Sequence, residues 1–304
     1  MGSFAEGRKL TSEPPLSSPA VYPRPAMKDA LVISLLSVLP RGPVSRLMGA
    51  LTRFRLPRLL HRLLVGWYVS HYGVDLDECE GSIDDYPTLA SFFVRALRPG
   101  VREISAGPQD LVSPVDGVVY AVGRVAGGRL PQAGELDYAV RDLLDGDARY
   151  EAGEFAVIYL SPKDYHRVHS PREGRLLGFR YRPGRLWPVF PAATRRIRDL
   201  FARNERLILR LACDGGELAC VMVGAFGVGR MRMVAAPLVT NTGTPMEDRE
   251  FAEPVAVARG AELGRFEMGS TVVLLLEPGR VSWSVTAGQE LRLGQKIGTL
   301  EPLT

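Results

Sequence analysis

Residues 266–277 read Phe-Glu-Met-Gly-Ser-Thr-Val-Val-Leu-Leu-Leu-Glu, in which a Gly269–Ser270 step leads directly into a run of apolar residues. A short apolar run bounded by turn residues predicts a buried strand. Similar runs, rich in β-branched residues and separated by Gly, Pro and Asp, recur at residues 111–125, 154–160, 207–212, 218–231 and 281–285. We therefore predict an α+β fold in which N-terminal amphipathic helices precede a largely antiparallel β core with a few inserted helices.

Helices are predicted mainly ahead of this β region. Across residues 30–72 the apolar side chains recur at helical spacing. Proline interrupts a helix, so the segment is expected to form about three short helices, divided at Pro40, Pro43 and Pro57. Within the remaining chain we predict a short helix over residues 88–97 and a longer one over residues 192–203.

The N-terminal helices carry charge of a single sign. No acidic residue lies between Asp29 and Asp75, whereas arginines alternate with leucines there: Arg41, Arg46, Arg53, Arg55, Arg58 and Arg62. An apolar face beside a cationic face is typical of helices that lie in a membrane interface, although helices packed on a protein core can share this pattern. The absence of acidic residues favours the membrane. The longest apolar stretch, residues 30–40, is too short to span a bilayer, so no transmembrane helix is predicted.

These changes in composition divide the chain into three parts. Residues 1–29 contain several Pro and Ser residues and lack the apolar run of a secretory signal, which predicts a disordered tail. Residues 30–72 are the predicted membrane-associating helices. Residues 73–304 are long enough to form one catalytic domain with its own core.

Several other classes of protein do not fit the composition. The chain has three cysteines without a Cys-x-x-Cys spacing and four histidines, which predicts neither disulfides nor a zinc site. His166 and His169 could supply half of a metal site, but no His-Glu-x-x-His pattern or nearby cysteine completes it, so we predict no metal. The net charge is +4. Because the basic residues alternate with leucines and not with stacking aromatic residues, nucleic-acid binding is not predicted.

Three short segments hold the residues best suited to chemistry. Residues 113–117 contain Asp116, residues 161–171 contain two histidines three positions apart, and residues 264–276 contain the Gly-Ser step. Each has an ordinary structural explanation when taken alone: a turn, a loop, and a junction between a loop and a strand. Only their joint presence points to a function.

Together the three segments resemble the phosphatidylserine decarboxylase family. The Gly-Ser-Thr processing site of that family is matched by residues 268–272, its DYHRxHxP motif by residues 164–171, and its SPxDG motif by residues 113–117. Further similar stretches are LASFFVRALRPGVREI from Leu89, LWPVFPAA from Leu186, NER from Asn204 and VGAFGVG from Val223. The resemblance extends from about Leu39 to the C-terminus. Met268 and Phe190 stand where the family commonly has Leu and Asn, but neither position supplies the chemistry.

The resemblance implies a proenzyme that cuts itself between Gly269 and Ser270. Glycine suits this position because no Cβ shields its carbonyl carbon. By resemblance, His169 is the base that activates the Ser270 hydroxyl, and Asp116 orients His169. The ester that results is eliminated and hydrolysed to a pyruvoyl group at residue 270. A larger chain then ends at Gly269, and a smaller chain comprises residues 270–304.

The resemblance also implies the reaction that follows. The cofactor is the pyruvoyl group derived from Ser270, with no metal and no pyridoxal phosphate. It forms a Schiff base with the amine of phosphatidylserine, carbon dioxide leaves, and phosphatidylethanolamine is released, with His166 as an acid or as a guide to the carboxylate. The implied partners are the lipid substrate, an anionic membrane surface and the two chains of one precursor. We expect a peripheral protein at the cytoplasmic face of a bacterial cell membrane, and a homodimer is an open alternative.

Two other functions stay open from the sequence. A pyruvoyl decarboxylase could act on a related serine lipid or on a small amino acid, which would keep the chemistry and change the substrate. Alternatively, the chain could be a non-enzymatic β scaffold or carrier-like module in which these turns are only structural. The joint presence of Asp116, His169 and Gly269–Ser270 argues against the second alternative.

Overall fold

The computed structural model describes residues 41–133, 136–214, 216–227, 230–267 and 270–301. The predicted tail, the beginning of the predicted membrane-associating helices, and Met268 and Gly269 therefore lie outside the described residues. Within those ranges, no helix is long and apolar enough to cross a bilayer.

Short helices and many strands make up the described chain. The helices are α1 (Arg41–Thr52), α2 (Arg58–Tyr72), a 3-10 turn (Ile83–Asp85), α3 (Leu89–Phe93), α4 (Val140–Leu144), α5 (Pro191–Thr194) and α6 (Leu200–Arg203). The first strands are β1 (Asp110–Val112), β2 (Gly117–Arg124), β3 (Arg129–Ala133), β4 (Leu136–Ala139), β5 (Glu154–Leu160), β6 (Arg167–His169), β7 (Gly174–Arg182) and β8 (Arg206–Cys213). The later strands are β9 (Gly216–Gly224), β10 (Met231–Met233), β11 (Glu247–Val257), β12 (Glu262–Phe266), β13 (Ser270–Leu276), β14 (Val281–Trp283), β15 (Glu290–Leu291) and β16 (Lys296–Leu300).

An eight-stranded sheet organises the fold, in the order β11-β7-β8-β9-β13-β5-β2-β15. Strand β13 pairs antiparallel with both β9 and β5, and all seven of its residues are buried. Its side chains alternate between two cores: Val272 and Leu274 point into one, and Val273 and Leu275 into the other. Because both faces of the sheet are covered, this strand is apolar at every position after Thr271 and does not alternate with polar residues. The predicted α+β class with an antiparallel core is confirmed.

The core on one face lies beneath a smaller sheet in the order β10-β12-β6. Phe266 of β12 and Val168 of β6 belong to the same core as Val272 of the large sheet. The other face is covered by the β3–β4 hairpin and by helices α4 to α6, through residues such as Tyr138 and Phe201. The small sheet holds the histidine motif and the segment that precedes Ser270, so its packing positions the candidate site.

Among the described residues, the N-terminal helices are divided differently than predicted, and Pro40 with the segment before it lies outside those residues. Pro57 does separate two helices, since it is the N-cap of α2. Pro43 does not, because it lies within the first turn of α1, where a helix needs no backbone N–H donor. The helix predicted over residues 88–97 is also shorter, ending at Phe93. Beyond it the chain turns to pair with residues 78–80, as in the hydrogen bond of 2.9 Å from the Glu80 N–H to the Ala96 carbonyl.

The long helix predicted over residues 192–203 is wrong. The segment forms two single-turn helices, α5 and α6, and Asp199 between them has a left-handed backbone with φ of 54°. The buried amide of Gln132 supplies the competing hydrogen bonds, because it donates to the Thr194 and Ile197 carbonyls at 2.6 Å and accepts from the Leu200 N–H at 2.7 Å. A side chain 62 residues or more away in sequence thus replaces the bonds of a continuous helix.

Candidate active site

Three connections between the large sheet and the small sheet, here called the crossings, begin at one end of the large sheet. Ser270, the first residue of β13, is in register with Leu160 at the end of β5 and with Gly224 at the end of β9. In chain order, β6 follows β5, β10 follows β9, and β12 precedes β13, so each of these points neighbours a strand of the small sheet in the sequence. The fold therefore brings the predicted cleavage point and the predicted histidine motif to the same edge.

Ser270 is fully buried on this edge. Its Oγ atom has no hydrogen-bond partner among the described residues. Burial of a hydroxyl without a partner costs roughly 1–3 kcal/mol, and such a group in a native fold calls for an explanation. A hydroxyl with free lone pairs and a free proton is suited to nucleophilic attack once a base accepts that proton.

His166 lies at the end of the crossing that follows β5. Its ring is neutral, and one ring nitrogen can accept a proton or a hydrogen bond. Its Nδ1–H donates to the Asp164 carbonyl at 2.7 Å, which leaves the lone pair on Nε2. This Nε2 atom is buried and has no partner among the described residues. Complete burial lowers the pKa of His166 to about 3, so the ring is neutral in the uncut chain. The His166 carbonyl accepts the N–H of Phe266 at 3.0 Å, which ties the histidine to the strand that precedes the cleavage point.

His169 is placed differently from the sequence expectation. Its Nδ1–H donates to the Gly260 carbonyl at 2.7 Å, and its Nε2 accepts the Tyr165 hydroxyl at 3.0 Å. Burial lowers the pKa of His169 below the ordinary value for a histidine. The backbone carbonyl of Gly260 thus fixes the tautomer in which Nε2 is the basic nitrogen. Both ring nitrogens are engaged, and neither partner is Ser270 or Asp116.

Asp116 is held by an arginine. The guanidinium of Arg102 donates to both carboxylate oxygens, at 3.1 and 2.6 Å, and the Leu293 N–H donates to one of them at 2.7 Å. The structure therefore brings Asp116, His169 and Ser270 to one region without joining them by hydrogen bonds in the uncut chain. Asp116 still influences His169 by charge, because its carboxylate raises the pKa of that histidine against the larger effect of burial.

A cavity of about 420 Å³ opens beside Asp116, and Ser270, His166 and His169 are not among its lining residues. Asp116 and Tyr165 form part of its wall, together with three arginines: Arg95, Arg102 and Arg292. The sequence patterns did not single out Arg95, Arg102 or Tyr165. All three lie inside stretches that resemble the family, so the signal was present, but their contacts with the site join residues that only the fold brings together.

Helices α1 and α2 lie against the crossings. The Ser45 hydroxyl accepts the Gly227 N–H at 3.2 Å, Arg53 lies 3.8 Å from the Glu267 carboxylate, and the Tyr68 hydroxyl donates to the Pro162 carbonyl at 2.5 Å. Away from these contacts, the same helices expose large apolar side chains: Leu47, Leu51, Leu59, Leu60, Leu63 and Trp67. Phe54, between the two helices, is exposed as well. The two helices therefore lie between the candidate site and an exposed apolar surface.

Comparison with known proteins identifies the kind of enzyme precursor that carries such a site. A family model described as phosphatidylserine decarboxylase matches residues 89–299. Phosphatidylserine decarboxylase proenzymes of Anaeromyxobacter sp. (strain K) and Myxococcus xanthus (strain DK1622) are 45% and 42% identical, each over 90% of this chain and 99% and 100% of their own lengths. That of Halorhodospira halophila (strain DSM 244 / SL1) is 44% identical over 90% of this chain and 94% of its own length.

These relatives are decarboxylase proenzymes by name. The chain belongs to the phosphatidylserine decarboxylase family. This confirms the family that the three motifs indicated.

Proposed function

We propose that the chain is a phosphatidylserine decarboxylase that cuts itself between Gly269 and Ser270 and converts Ser270 into a pyruvoyl group. The observation that carries the proposal is the buried hydroxyl of Ser270 at the first position of the central strand, which has no hydrogen-bond partner in the part of the chain that the structure describes. A purely structural serine would be expected to satisfy its hydroxyl there.

The cut itself uses only groups of the chain. The Ser270 Oγ atom attacks the Gly269 carbonyl carbon as its proton passes to a base, and the peptide bond is exchanged for an ester. Elimination releases the larger chain with a carboxylate at Gly269 and leaves a dehydroalanine. Addition of water to that residue yields the pyruvoyl group and ammonia, so the atoms balance without an external oxidant or reductant.

His169 is the proposed base. The Gly260 carbonyl holds its proton on Nδ1, which leaves a lone pair on Nε2 to accept the serine proton. In the uncut chain Tyr165 occupies that lone pair, so its hydroxyl must turn away or pass the proton on. Asp116 supports the charged ring that forms, because its carboxylate favours protonation of His169.

The surroundings of residue 270 suit a pyruvoyl group. A ketone there supplies the electron sink that decarboxylation of an amino acid requires. The Nε2 atom of His166, which has no hydrogen-bond partner among the described residues, can accept a hydrogen bond or a proton from the bound serine group. His166 therefore acts in decarboxylation and not in the cut.

The smaller chain is expected to stay in place after the cut. Strand β13 is paired on both sides along its whole length, β16 pairs with β1, and β15 pairs with β2. Two contacts close to the site also join the two chains, the Leu293 N–H with Asp116 and Arg292 with Glu78. The residue that carries the cofactor is thus fixed within the sheet.

The exposed apolar face of α1 and α2 is the proposed membrane contact. Each CH2 group transferred into lipid contributes about 0.8 kcal/mol, and each arginine near an anionic leaflet adds about 1 kcal/mol. Since the other side of these helices contacts the crossings around Ser270, a lipid headgroup at that surface lies close to the site. We propose a peripheral protein on the cytoplasmic face of a bacterial cell membrane.

Intact-mass measurement tests the cut, together with release of carbon dioxide from phosphatidylserine and from free serine. We expect a cut wild-type protein that acts on the lipid alone. Ser270→Ala and His169→Ala should stay at the uncut mass of 33.3 kDa. His166→Ala should be cut but nearly inactive. An uncut wild-type protein would overturn the mechanism, and an uncut His166→Ala protein would overturn the roles given to the two histidines.

A further inference from the structure

Arg95 is a buried cation that lines the charged cavity. It follows α3 and is 3% exposed. Its Nη2 donates to the carbonyl of Lys163 at 2.7 Å and more weakly to that of Asp164 at 3.4 Å. Its Nε and Nη1 atoms are buried and have no hydrogen-bond partner among the described residues. Burial of a guanidinium with unsatisfied donors is unfavourable, so the fold keeps this charge at a cost in stability.

Arg206 shows how the same fold treats a structural arginine. It is buried to a similar degree, and all three of its nitrogens donate to backbone carbonyls, including those of Leu143 at 2.7 Å, Ala202 at 2.5 Å and Asp142 at 2.7 Å. Arg206 therefore needs no further ligand. Arg95 differs because its Nε and Nη1 have no hydrogen-bond partner among the described residues and its side chain forms part of the wall of a space large enough for a small ligand. Its guanidinium carbon lies 5.4 Å from the centre of the Phe92 ring, and its charge lowers the pKa of Cys79 against the larger effect of burial.

The other cations on the cavity wall already have partners. Arg102 pairs with Asp116 and Glu78, Arg292 also pairs with Glu78, and Lys163 lies 3.5 Å from the Glu290 carboxylate. Arg95 is thus the wall cation without a carboxylate partner among the described residues. It is also close enough to His166 for its charge to lower the pKa of that histidine, as a smaller effect than burial. The carbonyls that bind Arg95 belong to the two residues that precede Tyr165 and His166 in the chain.

We propose that Arg95 binds the phosphodiester of the lipid headgroup and so selects a phosphorylated substrate. This assignment rests on the proposed decarboxylase function and names the part of the substrate that the cavity recognises. The serine carboxylate is the other anion of that headgroup. A guanidinium paired with this carboxylate would stabilise the substrate more than the transition state, in which the carboxylate loses its charge. It would therefore raise the barrier to decarboxylation. The phosphodiester keeps its charge from substrate to product. Its binding therefore stabilises substrate, transition state and product alike and does not raise the barrier.

The test uses Arg95→Met in the full-length protein, with a short-chain phosphatidylserine below its micelle concentration so that membrane binding plays no part. Methionine fills similar space without charge, so the variant should fold, cut itself and melt at or above the wild-type temperature. Its KM should rise roughly 10- to 100-fold, as expected for loss of charge-assisted hydrogen bonds, with kcat within a few-fold. Arg206→Met is the matched control, and it should lower the melting temperature without raising the KM of the protein that folds.

Inhibition by the phosphate-containing product separates the two anions. Glycerophosphoethanolamine has the phosphodiester and no carboxylate, so it should inhibit the wild type, and its inhibition constant should rise in Arg95→Met by the same factor as KM. An unchanged inhibition constant with a raised KM would assign Arg95 to the carboxylate and overturn the proposal. Three other outcomes would also overturn the proposal. They are failure of Arg95→Met to fold, a KM of that variant equal to that of the wild type, and inhibition of the wild type by glycerophosphoethanolamine that is no stronger than its inhibition by ethanolamine. A wild type that is uncut or inactive would instead refute the proposed function.

Discussion

The apolar surface of α2 gives a sharp test of membrane binding. Leu59 and Leu63 lie one helical turn apart and are 71% and 62% exposed. Replacement of both by Asn removes apolar area that makes no contribution to the core. The double variant should therefore fold and cut itself as the wild type does, and it should bind anionic vesicles more weakly.

The size of the effect follows from the exposed fractions. Burial of a whole leucine side chain is worth about 1.5–3 kcal/mol. About two thirds of each side chain is exposed here, so transfer of both into lipid stabilises the bound state by roughly 2–4 kcal/mol. At 1.4 kcal/mol for each factor of ten, loss of this contribution weakens binding about 30- to 700-fold.

Cosedimentation with vesicles that contain phosphatidylserine measures the change. Met246→Asn is the matched control, because Met246 is 64% exposed but lies beyond the two helices, just before β11. The control should bind as the wild type does. The assignment of this surface is refuted if the double variant binds vesicles with wild-type affinity, or if the control loses as much affinity as the double variant.

Two predictions concern pH. Because burial lowers the pKa of His169, the neutral base persists in more acidic solution, and the rate of self-cleavage in cell-free synthesis should fall only below pH 6.5; a midpoint at or above 6.5 would contradict this. Burial also raises the pKa of Glu205 from 4.5 to about 7, so the folded chain binds a proton that the unfolded chain has lost between those values. Glu205 should therefore contribute a decrease of up to about 3 kcal/mol to the stability of uncut Ser270→Ala from pH 4.5 to 7, whereas the buried histidines, with lowered pKa, contribute in the opposite direction. Urea unfolding of Ser270→Ala with and without an added Glu205→Gln substitution isolates this contribution, because the stability difference between the two proteins should change by this amount over the same pH range.

The strands could be predicted because burial on both faces leaves a local signature. Strand β13 is apolar at every position after Thr271, and the pattern of β5 is similar. The helices were harder, since their limits depend on distant residues. Gln132 ends the helix predicted over residues 192–203, and residues 78–80 draw the chain away from a helix after Phe93. No local pattern contains these partners.

The sequence did not show which face of α2 packs on the protein core. His61, Val65 and Tyr68 form its buried face, whereas Leu59 and Leu63 are exposed. The most apolar stripe is thus on the outside. A sequence shows that such a stripe exists, but it does not show which side of the helix the protein core covers.

The candidate site residues could be named from the sequence, but their contacts could not. Motifs indicated Asp116, His166, His169 and Ser270, whose roles stay predictions. Their hydrogen-bond partners were not found, because Gly260 is 91 residues from His169 and Leu293 is 177 residues from Asp116. The charge of Arg95 was visible in the sequence, whereas its unsatisfied donors are a property of the fold.

Under the proposed self-cleavage, the position of Ser270 meets two opposing needs. The residues that precede Ser270 have to move away after the proposed cut, whereas the residue proposed to become the cofactor has to stay in place. The fold suits both needs, because the described strand begins at Ser270 itself and is paired on both sides from its first residue. Helices α1 and α2 contact two segments near this edge of the sheet: Arg53 lies near Glu267, which precedes the proposed cut, and Tyr68 donates to Pro162, which follows β5. The helices that carry the proposed lipid-binding surface thus contact the segment that precedes the proposed cut, whereas Ser270 itself belongs to the sheet.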